Sequence, residues 1–344
     1  MACISTNGSD LLAISLKNKL VIFRNDETIL SYTHTPPVKP TDKEKKEDSE
    51  EKKESKTAQP TPATSFDCHQ FSSKRKSECQ CYFGAVTEDK KLLVWNVEAT
   101  KCTLLMTLEF PKRPTSLKFL KNEDSVLVSD KYGDIYKASL TSEEQTPKLI
   151  LGHLSMVLDI EIIEEDKFII SADRDEKIRI SHHPNAYNIH NYCLGHKNLV
   201  SFIENIGNNR LLSISAVSTL SRKCNIIGQF FFWKSDKTIK LWNYYDGKEL
   251  SSLDMKECTE KEFVPTKFVT CDNSVLVIGE QLRGVVHLEI NEDNLKYIRL
   301  IELDIQPVDI CCTDCGKVYM LCASPDQPLK VFTKSNNVSF PPKH

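Results

Sequence analysis

A strand-ending motif recurs along this chain at a nearly fixed interval, and that interval limits the fold more than any other feature. Its clearest copies are Lys17-Asn-Lys-Leu-Val-Ile-Phe23, Asp89-Lys-Lys-Leu-Leu-Val-Trp95, Asp175-Glu-Lys-Ile-Arg-Ile-Ser181 and Asp236-Lys-Thr-Ile-Lys-Leu-Trp242, with weaker endings at Ala138, Leu288 and Phe332. Successive endings lie 72, 43, 43, 61, 46 and 44 residues apart, and the pairs Gly152-His153 and Gly195-His196 are 43 apart. Short β-branched runs separated by turn residues fill the intervals, with little helical periodicity. A period of about 40–45 residues with Gly-His and Trp-ending signatures is that of propeller blades. Seven endings therefore predict an all-β fold, a seven-bladed WD-repeat β-propeller occupying residues 1–344 as a single unit. One blade cannot bury both faces of its sheet, so the ring must close, and the chain termini are expected to share one blade.

The two long intervals mark insertions. Residues 35–65 are Pro-rich at both ends and Lys/Glu/Asp-rich in the middle, a composition too polar to pack, and read as a disordered charged loop. Residues 217–234 fall inside blade 5, and deleting them restores an interval of 43. That stretch ends Phe230-Phe231-Phe232-Trp233, a poor composition for a solvated hairpin tip. It reads either as an unusual loop insertion or as non-coding sequence retained in the gene model.

Composition argues against several function classes. A net charge of −3 over 344 residues disfavours sequence-blind nucleic-acid binding, while leaving room for a local basic edge. No apolar run reaches 18 residues, so no membrane helix is expected, and the opening Met-Ala-Cys-Ile-Ser-Thr lacks the basic and apolar regions of a secretion signal. The 13 cysteines are scattered and set mostly in apolar runs, as small buried hydrophobes of a reducing compartment would be. Neither Cys79-Gln-Cys81 nor Cys311-Cys312-Thr-Asp-Cys315 has a matching pair at zinc-site spacing, and His182-His183 lacks a third ligand. Cofactor and phosphate loops need closely spaced glycines. Here the nearest pair, Gly279 and Gly284, is followed by Val285-Val286 rather than Lys-Ser/Thr. No metal, no bound cofactor and no catalytic residues are expected.

Charge concentrates instead at one hairpin, Ser171-Ala-Asp-Arg-Asp-Glu-Lys-Ile-Arg-Ile-Ser181. Part of it has a structural reading, in which a blade Asp hydrogen-bonds the His of the Gly-His pair. Asp175 is matched in this way with His153, and Asp236 with His196, while Trp242 closes the clearest repeat. Glu176, Lys177 and Arg179 remain as candidates for partner contact. Strand alternation puts Lys177 and Arg179 on the side opposite Ile178 and Ile180, and a charge between blades must reach the rim or be paired. In the preceding blade, Lys131 occupies the turn position equivalent to Arg174, and cations at that rim suit RNA phosphates.

Over residues 114–200 the chain closely resembles the WD-repeat non-catalytic subunits of eukaryotic tRNA (guanine-N7)-methyltransferase. The residues that carry the resemblance are Val126-Leu-Val-Ser-Asp-Lys-Tyr-Gly-Asp-Ile-Tyr136, Leu151-Gly-His-Leu-Ser-Met-Val-Leu-Asp159, Phe168-Ile-Ile-Ser-Ala-Asp-Arg-Asp-Glu-Lys-Ile-Arg179 and Cys193-Leu-Gly-His196. The resemblance implies a nuclear heterodimer with a separate catalytic subunit that binds S-adenosylmethionine and methylates a variable-loop guanine of tRNA. It further implies that Glu176 and Arg179 are the main contacts to that subunit, with Asp175 and Lys177 nearby and Lys131 and Arg174 flanking the tRNA. A general WD-repeat adaptor, for a ubiquitin ligase or chromatin, is the competing expectation; it would work through the mouth of the central channel.

Overall fold

The computed structural model describes residues 2–35, 66–72, 81–122, 124–141, 146–216, 235–259, 263–324 and 328–333. These form seven antiparallel sheets arranged as a ring of blades, six with four strands and one with three among the described residues. The blades run over residues 2–33, 66–109, 114–152, 157–193, 202–254, 264–302 and 307–333. Each of the seven recurring endings lies in the third strand of its blade, from Phe23 in Lys19–Arg24 to Phe332 in Leu329–Thr333. The expected insertion at 35–65 lies, apart from Thr35, outside the described residues, and so does 217–234.

The sequence forms these blades because second and third strands are packed on both faces. Cys81–Thr87, Ser125–Asp130 and Phe168–Asp173 are buried along their whole length, which accounts for runs that are apolar or small throughout rather than alternating. Outer strands alternate, as in Cys102–Glu109, where Met106 and Leu108 are buried and Leu104 and Leu105 face solvent. Two-residue turns at Asn25-Asp26 and Asn208-Asn209 take positive φ at both positions, the conformation of type I′ hairpins that Asn and Asp tolerate best.

Ring closure differs from the expected shared blade. All four strands of blade 1 come from the N-terminal residues, so the last blade packs against it as a neighbour. Ile4 and Leu12 form one apolar cluster with Cys311 and Leu321 across this seam. The Ile4 amide donates to Asp309 Oδ2 at 2.8 Å, and the Asp314 amide donates to Gly8 O at 2.7 Å. Gly8 has φ +86°, and a Cβ there would stand 2.5 Å from the Asp314 carboxylate, so this close approach needs glycine. The first strand, Ala2–Thr6, occupies the inner edge of a four-stranded sheet whose strands, among the described residues, all come from 2–33.

The same kind of latch recurs inside the ring. Asp159, third residue of the first strand of blade 4, accepts the Ile203 amide of blade 5 at 3.0 Å and the Ser116 hydroxyl of blade 3 at 2.8 Å. Asp309 holds the corresponding place in blade 7, where Lys267 Nζ also donates to it at 2.6 Å. First strands line a central cavity of about 470 Å³, bordered by Cys3, His69, Arg113, Asp159, Lys267 and Asp309 among others.

Candidate partner-binding edge

In blade 4 the second strand ends at Asp173 and the third begins at Ile178, leaving a four-residue turn of Arg174, Asp175, Glu176 and Lys177. All four side chains are exposed. The turn is fixed from beneath. Asp173 Oδ1 accepts the amides of Asp175 and Lys177 at 2.9 and 3.0 Å, and Glu176 adopts φ +74° to close the loop. Asp173 Oδ2 meets His153 Nδ1 at 3.1 Å, and His153 Nε2 meets Ser171 Oγ at 2.7 Å. Burial alone would push the Asp173 carboxyl up, but the His153 ring and the Lys177 amide outweigh it and hold it below the usual carboxylate range.

His153 therefore pairs with Asp173, not with Asp175 as the repeat alignment suggested. Asp175 points outward and forms an exposed ion pair with Arg174, Nε to Oδ1 3.3 Å, with both side chains about half exposed. The reason is local. A carboxylate that closes this turn must sit at its first position, where both following amides are in reach, and here that residue is Asp173. The alignment holds in blade 5, where His196 Nδ1 meets Asp236 Oδ2 at 3.0 Å. There His196 Nε2 and Trp242 Nε1 both meet Ser213 Oγ at 2.7 Å, which ties loop, second strand and third strand together. A third pair, His34 with Asp89 at 3.0 Å in blade 2, escaped the sequence reading because His34 follows a Thr rather than a Gly.

Arg179 is placed differently from the turn. It is 9% exposed and donates from Nη1 to Gly152 O and from Nη2 to Ala186 O, both at 3.1 Å. These carbonyls belong to the last strand of blade 3 and to the loop after the third strand of blade 4. Arg179 thus clamps two blades beneath the exposed turn, and its charge is met by backbone oxygens rather than by a carboxylate.

Lys131 and Arg174 do occupy equivalent positions, since their amides donate to Arg113 O and Met156 O at 3.1 and 2.9 Å, each just before a first strand. Lys131 is half-buried and borders the central cavity, whereas the Arg174 side chain is 48% exposed on the rim. Asp130 is the blade 3 counterpart of Asp173, accepting the Tyr132 and Asp134 amides at 2.8 and 3.1 Å. Among the described residues no histidine or other partner meets its buried Oδ2, and burial pushes its carboxyl up. Among the described residues, no group of three or more His, Cys, Asp or Glu side chains is placed to hold a metal ion, and no helix is long and apolar enough to cross a membrane.

The edge just described lies within the span that decides the family. The family model for the tRNA methyltransferase TRM82 WD40 domain matches residues 17–148 and 141–217. This chain belongs to that family. Two relatives of the TRM82-type chain are tRNA (guanine-N(7)-)-methyltransferase non-catalytic subunits. The one from Danio rerio is 31% identical over 263 residues, covering 73% of this chain and 59% of the relative. The one from Homo sapiens is 28% identical over 267 residues, covering 74% and 60%. The matched region thus spans about three fifths of the length of these curated relatives. Among solved structures, the β-propeller domain of Myceliophteria thermophila Cps50 (Swd1) superposes with a TM-score of 0.69 at 8% identity, covering 97% of both chains, a likeness of fold alone.

Proposed function

We propose that this TRM82-family chain is the non-catalytic subunit of a tRNA (guanine-N7)-methyltransferase and docks the catalytic subunit on the blade 3–4 edge. The observation that carries the reading is the turn Arg174–Lys177: four exposed charges, two of each sign, on a backbone locked by Asp173 and His153. A mixed-charge turn held rigid loses little entropy on pairing with complementary charges and sets the partner's orientation. Glu176 and Lys177 are the direct contacts, with Asp175 and Arg174 beside them, and Arg179 holds the turn's platform from below. Lys131 and Arg174 lie on the side where tRNA phosphates approach. S-adenosylmethionine binds the partner, and the propeller shifts that enzyme's population toward its active arrangement without entering the chemistry. The product is N7-methylguanine in the variable loop, formed in the nucleus.

The test combines this chain with the methyltransferase catalytic subunit, tRNA and labelled S-adenosylmethionine. The chain alone is expected to bind no S-adenosylmethionine and transfer no methyl group, and the mixture to methylate guanine N7. Glu176→Lys is expected to abolish the complex with an unchanged melting temperature. If blade 4 edge variants are silent while changes at the channel mouth block partner capture, an adaptor role replaces this one. Sequencing of N7-methylguanine in recovered tRNA and imaging of the tagged chain check the position and the compartment.

A further inference from the structure

Leu154 stands at the tip of the loop between blades 3 and 4 with its side chain wholly in solvent, at a relative exposure of 108%. Its backbone is held on both sides. The preceding His153 amide donates to Gly133 O at 2.9 Å and the His153 ring is fixed by Asp173 and Ser171, while Met156 O accepts the Arg174 amide. Gly133 makes this packing possible, because at φ +104° it brings the turn so close that a Cβ would lie 2.4 Å from Ser155 O. A leucine whose side chain packs on nothing contributes nothing to the propeller, and the rigid loop that displays it is a preformed anchor.

Two other exposed apolar side chains lie on loops that adjoin this one or the charged turn. Tyr132, 60% exposed, belongs to the turn that Gly133 ties to the Leu154 loop, and Lys112 Nζ lies 4.2 Å from its ring centroid. Leu194, 63% exposed, follows Cys193, which pairs with Ile178 and so sits next to Lys177. Isolated surface leucines are ordinary. Here, Tyr132 and Leu154 lie on two loops tied together through Gly133, the Leu154 loop is bonded through Met156 O to Arg174 of the charged turn, and Leu194 follows the residue paired with Ile178 at the turn's far end.

From this arrangement we infer that Leu154 is the apolar anchor of the docking edge, inserting into an apolar pocket of the catalytic subunit whose rim carries charges complementary to Arg174–Lys177. The inference rests on the proposed function and adds the chemistry of the partner's surface. A protein fits better than RNA on two counts. The turn's two cations and two anions cancel, so the turn as a whole draws a phosphate backbone only weakly, and phosphate contact is left to its flank at Lys131 and Arg174. A fully exposed leucine gains from burial in an apolar pocket, as at the centre of protein interfaces, and gains nothing against phosphate and ribose.

The experiment uses the full chain and compares Leu154→Asp, Leu154→Met and Glu176→Lys for binding to the catalytic subunit, with thermal unfolding of each as the folding control. Leu154→Asp is expected to bind at least ~10-fold more weakly, while Leu154→Met stays within about threefold of the original and all variants unfold alike. Binding by Leu154→Asp within about twofold of the original, alongside loss by Glu176→Lys, overturns the anchor but leaves the docking edge standing. No binding by the unaltered chain overturns the proposed function and the anchor together. A loss of tRNA binding by the isolated Leu154→Asp chain equal to its loss of protein binding makes the edge an RNA contact, and also overturns the inference.

Discussion

Two aspartates two residues apart on one hairpin have opposite fates. The buried Asp173 carboxylate accepts two turn amides and meets His153; the exposed Asp175 carboxylate meets Arg174. Asp173→Asn is therefore expected to cost about 1–3 kcal/mol in urea unfolding, and Asp175→Ala less than about 0.5 kcal/mol. Because the folded-state carboxyl of Asp173 is depressed, its contribution is complete above the ordinary carboxylate range and is lost as pH falls through its folded value. The variant should flatten the acid limb of stability against pH. Glu204 works with the opposite sign. Burial pushes its carboxyl up to about 7 despite the hydrogen bond from Thr270 at 2.5 Å. A raised folded value means that its contribution is fully present below the unfolded value and lost as pH rises through about 7. Glu204→Gln should raise the melting temperature more at pH 8 than at pH 5, and equal shifts at both values would show the burial to be relaxed in solution.

At the scale of elements, the blade 4 hairpin separates a working surface from its support. Strand alternation correctly sends Arg179 away from Ile178 and Ile180. What the alternation leaves open is whether the guanidinium reaches the rim or turns to the carbonyls of Gly152 and Ala186, a choice made by blade 3 and the following loop. Arg179→Ala leaves two carbonyls without their donor and is expected to lower stability by about 1–3 kcal/mol, as measured by chemical denaturation. Glu176→Lys, on the exposed turn, is expected to leave unfolding unchanged. Partner binding should fall in both variants. Only in Arg179→Ala should it fall in proportion to the loss of structure, which separates a positioning residue from a contact.

Across the whole molecule, closure rests on polar latches between inner strands as well as on apolar packing. Asp309 is the clearest, since it takes both the Ile4 amide across the seam and Lys267 from blade 6. Asp309→Ala is expected to destabilise the ring by roughly 2–4 kcal/mol, less than for a fully enclosed pair because Lys267 keeps 28% exposure. The loss should appear in every blade at once, and hydrogen exchange that rises only in blades 1 and 7 would show the seam to open alone. The sequence does contain a trace of these latches. Val157-Leu-Asp-Ile160 and Pro307-Val-Asp-Ile310 place an Asp inside an otherwise apolar strand, where only a bound partner makes it tolerable.

By itself the sequence determined the blade count, the third strands and the turn that carries the charge, because periodic burial and turn chemistry are local and repeat with the chain. It also picked out His196, Asp236 and Trp242, where the spacing from Gly-His to strand end matches that of blade 4 once residues 217–234 are set aside. It did not determine which Asp meets His153, how the termini close the ring, or that Arg179 is enclosed while Leu154 is bare. Each of these depends on which groups from neighbouring blades come within hydrogen-bonding reach or leave a side chain uncovered. That proximity is set by how the blades pack against one another, a relation between residues far apart in the chain that no local period encodes.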